Sequence, residues 1–339
     1  MMQKPRSRST LCCPNVSHAI TFVISTAALF AVNPTWAAWP EKPITIIVPF
    51  PAGGGTDVVI RSLQPLLSKE LGQTIVVENR GGAGGTIGSA QVARAKADGY
   101  TALLATTSTH AVSVSIYPGL AYNPRKDFEY AGLIGVSPYV LAVTPELVSG
   151  LSEKTDIKSL VAAMKNRGKS YNLASVGVGT VSHLLGEQFS ADFGLHLTHV
   201  PYRGATPAYT DLIGGQVDLM FDNPISMAAY SKVNKLIPVA TTIPTSLLPN
   251  VTTFARQGVE GYTQTLWYGL AFPKNTPEGV VKRFNNALNT VLSSSTVKTE
   301  LKLKGIEAKP GTPTEMTTIV DQDIRYWGKI AKSLEISLD

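Results

Sequence analysis

The sequence predicts an α/β fold of mostly parallel sheets covered by helices on both faces, divided between two domains. Three observations carry this. Strand-like and helical runs alternate from Ile44 to Lys332. Two glycine-rich loops, PFPAGGGTD at 49–57 and ENRGGAGGTIG at 78–88, each lie between an apolar run and a helical pattern. Behind its first segment the chain keeps about 300 residues, enough for two domains of ordinary size.

The strand-like runs are Ile44–Val48, Thr74–Val77, Thr101–Ala105, Val140–Val143, Tyr171–Ala174, Leu197–Val200, Val217–Phe221, Ile237–Thr241 and Trp267–Phe272. The helical runs are Asp57–Leu71, Thr86–Lys96, Ile157–Met164, Val181–Phe193, Thr206–Ile213, Pro277–Leu292 and Thr314–Lys332. Thr276 before Pro277 and Glu278 reads as a capping threonine with proline at the first helical position. Pro65 should kink or shorten the first helix. No low-complexity linker or short-period repeat marks a domain boundary.

The N-terminus reads as a secretory signal. Lys4, Arg6 and Arg8 form a basic start, Ala19–Val32 is an apolar stretch too short to span a membrane, and Thr35-Trp36-Ala37 offers a small-x-small cleavage site before Ala38. The twin-arginine signature is absent. Both cysteines, Cys12 and Cys13, lie in this segment, so the mature chain is expected to be thiol-free. That excludes disulfides, Cys-ligated metals and Cys nucleophiles. Cleavage also removes three positive charges and no acidic residue, halving the formal charge of +6. The remainder is too mild to argue for nucleic acid.

A strand, a glycine turn and a helix N-terminus together make an anion site. The first helical N–H groups have no partner inside the helix, and the helix dipole adds partial positive charge there. Glycine lets those groups converge without a Cβ in the way, so Gly54 and Gly84 are both expected to resist side chains. Two such loops suggest a small anion, most simply a carboxylate, held mainly by backbone. Neither loop fits G-x-G-x-x-G, and no P-loop, nucleophile elbow or H-E-x-x-H occurs. Asp57 reads as a helix-start residue.

The middle third repeats the logic. LASVGVGTVSHLLGE at 173–187 is strand, glycine turn and helix, and HVPYRGATPAYTDLIGGQVDLMFDN at 199–223 follows. Ser175, Thr180, Ser182, His183 and Tyr202 are suited to holding polar groups of a ligand. Each has a plainer reading: turn hydroxyls for Ser175 and Thr180, a helix-start imidazole for His183. Arg80 and Arg203 read as solvated arginines beside turns. His196 and His199 point to opposite faces of a strand, which speaks against a shared metal.

A signal segment followed in order by WPEKPITIIVPFPAGGGTD, ENRGGAGGTIG, TSTHA, YNPRKDF, HVPYRG, GGQVDLMFD and WYGLAFPKNTP resembles the Bug family of periplasmic solute-binding proteins, receptors of tripartite tricarboxylate transporters. The resemblance spans essentially the whole mature chain. It implies a two-domain periplasmic-binding-protein (Venus flytrap) fold, with residues 1–37 as signal peptide, 38–139 and 263–339 as a discontinuous first domain, and 140–262 as the second. It implies a monomeric, non-enzymatic receptor in the periplasm, without cofactor or metal. Such a receptor captures a small aliphatic or aromatic mono- or dicarboxylate for the membrane permease subunits. The ligand contacts implied in the first domain are Phe50, Ala52, Gly53, Gly54, Asp57, Ala83, Gly84, Gly85, Thr107 and Ser108. In the second domain they are Ser175, Gly177, Thr180, His183, Tyr202 and Asp222. Pro65, the VSVSIYPG stretch at 112–119 and the apolar Val176 and Val178 depart from the family pattern. The competing readings are a secreted enzyme acting on a carboxylate, using His183 with Ser175 or Ser182, and a sensor subunit reporting to a membrane kinase.

Overall fold

The computed structural model describes residues 39–151 and 155–337. The signal segment with Cys12 and Cys13 lies outside the described residues. The architecture is two sheets flanked by helices. The first sheet has the order β11-β4-β10-β3-β1-β2. Its strands are β1 (Ile44–Val48), β2 (Ile75–Asn79), β3 (Thr101–Thr106), β4 (Phe128–Pro138), β10 (Thr265–Pro273) and β11 (Glu307–Ala308). The second has the order β7-β6-β8-β5-β9, built from β5 (Val140–Val143), β6 (Tyr171–Ser175), β7 (Leu197–Pro201), β8 (Leu219–Asp222) and β9 (Ile237–Thr241).

The α/β class stands as read from the sequence, but the sheets are mixed rather than mostly parallel. Strands β1, β2 and β3 run parallel, as do β6, β7 and β8. Strands β10, β4 and β11 pair antiparallel, and β5 is antiparallel to both β8 and β9. The antiparallel strands lie where the chain passes between sheets. It leaves the first sheet at Pro138, enters the second at Val140, and returns at Thr265. A strand that arrives from the other sheet has no helical crossover to set it parallel.

Strand β4 has no counterpart among the strand-like runs of the sequence. Gly132 and Gly135 interrupt its apolar pattern, and its pairing with β10 shifts register twice. Both glycines are packing positions. A Cβ on Gly132 would stand 2.8 Å from Asn285 Nδ2, and one on Gly135 would stand 2.5 Å from the Glu307 carbonyl oxygen.

The helices are α1 (Gly55–Leu71), α2 (Thr86–Ala93), α3 (Ser113–Ile116), α4 (Ile157–Arg167), α5 (Val181–Phe193), α6 (Ala205–Ile213), α7 (Pro224–Ser231), α8 (Glu278–Ser293), α9 (Ser295–Lys302) and α10 (Pro313–Ser333). Two local expectations are corrected. Helix α1 runs unbroken through Pro65. Pro65 and Arg61 are both exposed. The carbonyl of Arg61, whose helical partner Pro65 removes, therefore faces solvent, where water can satisfy it. Pro277, not Thr276, is the cap of α8, and the Thr276 hydroxyl instead donates to the Pro273 carbonyl at 2.8 Å. In the core, the apolar residues of β1, β3 and β10 pack with Phe284 and Leu288 of α8 and Trp327 of α10.

Candidate functional site

Six segments hang from the carboxyl ends of the parallel strands: residues 49–54 after β1, 80–85 after β2, the turn beginning at Thr107 after β3, 176–180 after β6, 202–204 after β7, and Asn223 after β8. Ligands sit at this edge of an α/β sheet.

The first glycine loop is held by Asp57. This buried carboxylate in the first turn of α1 accepts from Gly53 N–H at 3.0 Å, Arg61 Nε at 2.8 Å and Asn79 Nδ2 at 3.0 Å. Asn79 Nδ2 also donates to the Phe50 carbonyl at 3.0 Å. Burial pushes the carboxyl pKa up, but the bonds from Arg61, Gly53 and Asn79 outweigh it and hold the group below its ordinary value. Asp57 thus fastens the loop to β2. Helix α1 begins after Gly54 with no side-chain cap, so its first N–H groups are left to a ligand or water.

Two adjoining cavities separate the loops of the two sheets. The inner, of about 40 Å³, is lined by Gly54, Gly55 and Thr56 at the α1 start, with Thr106, Ser108, Leu266 and Tyr139 beside them and Asp222 and Asn223 opposite. The outer, of about 190 Å³, is lined by the second glycine loop, Gly82–Gly85, and by Gly177, Val178, Tyr202 and Arg203. Phe50, Pro51, Val176 and Gly204 line both. The two glycine loops therefore serve two neighbouring compartments.

The structure places four of the expected contacts, Phe50, Gly54, Ser108 and Asp222, on the inner cavity. Ala83, Gly84, Gly85, Gly177 and Tyr202 line the outer one, as Phe50 does again. Ala52, Gly53, Asp57, Thr107, Ser175, Thr180 and His183 line neither. Thr107 ties the sheet together instead: its hydroxyl donates to the Thr265 carbonyl at 3.3 Å and accepts from Trp267 N–H at 2.9 Å. Thr180 caps α5, accepting from His183 N–H at 3.4 Å and donating to the Gly177 carbonyl at 2.8 Å. Tyr202 donates to Asp211 Oδ2 at 2.7 Å, and its pKa is pushed up to about 12 by burial and that carboxylate.

The sides of the cleft already touch. Tyr117 donates to the Val178 carbonyl at 3.1 Å, and Val181 N–H donates to Ser108 Oγ at 3.2 Å.

His183 forms a group that spacing along the chain does not reveal. Its ring stacks on His199 at 3.9 Å with an angle of 16° between the planes. His199 Nε2 pairs with Ser175 Oγ at 2.6 Å, and Glu187 lies 3.6 Å from His183 Nε2. Burial, and then His183 itself, push the His199 pKa down to about 4. One ligand atom from each of His183, Glu187 and His199 falls within 4.8 Å of the others. The stacked rings hold their nitrogen lone pairs in nearly parallel planes, so a shared ion would require one ring to turn. The Ser175–His199 pair does not make a nucleophile for the cleft either. Ser175 is fully buried, donating to the Gly177 carbonyl and accepting from the Gly177 N–H.

Tyr139, Leu266, Thr106 and Asn223 line the inner cavity and were not among the expected contacts. Tyr139 and Leu266 come from the inter-sheet passage and the start of β10, where no local motif marks them. Asn223 caps the helix that opens at Pro224, accepting from Ile225 N–H at 3.1 Å, and the Asn-Pro pair is the signal that could have found it.

Comparison with known proteins identifies the family and the fold. The family described as "Tripartite tricarboxylate transporter family receptor" matches residues 59–336. The structure of the periplasmic binding protein BugD is 34% identical with a TM-score of 0.81, covering 88% of this chain and 99% of that one. The structure of Rpa4515 from R. palustris with adipate is 32% identical with a TM-score of 0.83, covering 88% and 99%. MatC from Rhodopseudomonas palustris with bound malate is 30% identical with a TM-score of 0.80, covering 86% and 99%. The chain is a solute-binding protein of the Bug type and belongs to the tripartite tricarboxylate transporter receptor family.

Proposed function

We propose that the chain is a periplasmic receptor that captures a small carboxylate between two lobes and presents it to the permease subunits of a tripartite tricarboxylate transporter. The observation that carries this is the cleft itself. An uncapped helix N-terminus and a glycine loop face it from one sheet, and polar turns face it from the other. Backbone donors and a helix dipole suit a carboxylate. Similar proteins have been seen with adipate and with malate. The residues 38–139 with 263–339 form one lobe and 140–262 the other, hinged where the chain crosses between sheets. The receptor acts as a monomer, binds without chemistry, and is exported by cleavage before Ala38, so the periplasmic form should begin there on N-terminal sequencing. The Ser175–His199 pair, turned into its own loop, supports binding over catalysis.

A thermal-shift screen tests the ligand class. A ligand at about 100 times its Kd adds about 2.7 kcal/mol to the folded state, which moves the melting temperature by several degrees. Mono- or dicarboxylates should produce that shift. Stabilisation by sugars or nucleotides with none by any carboxylate would overturn the reading.

A further inference from the structure

Tyr117 follows α3 and reaches across the cleft without lining either cavity. Its backbone is fixed on its own side, where its N–H donates to the Ser113 carbonyl at 3.0 Å. Its hydroxyl donates to the Val178 carbonyl at 3.1 Å. Burial pushes the phenol pKa up, which keeps the hydroxyl a donor. The ring fits as closely as the bond. Gly179 sits at φ +77°, and a Cβ there would stand 2.6 Å from Tyr117 Cε2 and 2.8 Å from Ile116 Cδ1. Both the backbone conformation and the ring against it require glycine.

The turn that Tyr117 grips is held in shape by its own bonds. The Gly177 carbonyl accepts from Thr180 N–H at 3.3 Å and from the Thr180 hydroxyl at 2.8 Å, and Gly179 N–H donates to His183 Nδ1 at 3.4 Å. The turn therefore moves as a unit with α5. Its other face presents Gly177 and Val178 to the outer cavity, opposite Gly84. A second bond crosses nearby: Val181 N–H, a donor that the start of α5 leaves unpaired, donates to Ser108 Oγ at 3.2 Å. Ser108 lines the inner cavity, so its bond answers to whatever fills that cavity. Tyr117 lies outside both cavities, and its bond depends on closure alone.

We propose that Tyr117 is a latch: a positioning residue that holds the 177–180 turn against the loops of the first sheet and strengthens the binding of every ligand by the same factor without touching any of them. This rests on the receptor reading above and goes beyond it, because part of the affinity then belongs to the protein's own closure rather than to ligand contacts. When the cleft opens, water replaces the hydroxyl bond. In a ligand-free protein that is mostly open, a bond made only in the closed state shows in the affinity and not in the stability of the open form.

The test is Tyr117→Phe in the full mature chain, which removes the hydroxyl and keeps the ring against Gly179. Calorimetry with succinate, malate, adipate, benzoate and phenylacetate, beside thermal unfolding without ligand, gives the two readouts. Each acid that binds the unsubstituted chain should bind the variant about fivefold more weakly, equivalent to about 1 kcal/mol. The ligand-free melting temperature should stay within about 1 °C, a shift that corresponds to a small fraction of that energy. A tyrosine serving only the packing of its own side would instead lower that temperature. Unchanged affinities, a loss confined to one acid while others bind as before, or a ligand-free melting temperature lowered by several degrees would each overturn the latch and leave the receptor reading standing. Binding of none of these acids by the unsubstituted chain would overturn both.

Discussion

Gly84→Val should lose ligand affinity by about 100-fold or more, roughly 2.7 kcal/mol, while the ligand-free protein still folds. The cause is the meeting of the two sides of the cleft rather than the anion site alone. A Cβ on Gly84 would stand 2.5 Å from the Val178 carbonyl oxygen, a backbone atom on the other side of the cleft. The residue also sits at φ +62°, where a β-branched side chain is strained. The two loops cannot keep their present separation with that side chain between them. Gly54 is different, although the sequence suggested equal intolerance. Its φ is −78°, and a Cβ there would meet nothing nearer than 3.8 Å. Gly54→Ala should therefore bind within a few-fold of the parent. Calorimetry beside thermal unfolding of each variant checks both expectations. Unchanged affinity in Gly84→Val would show that the second glycine loop is only a turn.

Asp57→Asn should cost about 2–3 kcal/mol of stability, more than the roughly 0.3–1 kcal/mol of a helix-start charge alone. The substitution removes the ion pair with Arg61 and weakens the bonds that fasten Gly53 and Asn79. Arg61 is 45% exposed, so solvent screens the pair and the backbone and amide bonds carry much of the effect. The pH dependence has a definite sign. Because the folded-state pKa is lowered, the stability from Asp57 is complete above the ordinary carboxylate range and is lost as pH falls through the lowered value. Urea unfolding at pH 7 and at acid pH measures both. A loss below about 1 kcal/mol at pH 7 would reduce Asp57 to a dipole charge.

The legible parts of this protein are those whose signal is local. Strands β1, β3 and most of β10 are buried along their length, so each reads as a continuous apolar run. The glycine loops announce themselves because backbone turns and helix starts need particular residues at particular offsets. Strand β4 was hidden because Gly132 and Gly135, required by Asn285 and Glu307 from distant segments, break its pattern. Helix α9 was hidden because it starts within two residues of the end of α8. In the site, motif order brings Gly84, Ser108, Tyr202 and Asp222 forward. It does not show which of them face the cavities, nor that His183 turns to stack on His199. Those facts depend on side chains meeting across many residues, as Tyr139 and Leu266 do at the inner cavity.

The proposed receptor captures its ligand by closing two lobes around it. Tyr117 and Ser108 already bond across the cleft to Val178 and Val181, the kind of contact the proposed closed state needs. A ligand that contacts both lobes stabilises that state over an open one. Small-angle scattering of the mature chain, with and without a carboxylate shown by calorimetry to saturate it, tests this most directly. The expected result is a smaller radius of gyration with ligand. An unchanged radius at saturation would contradict it and leave a rigid pocket in place of a receptor that closes.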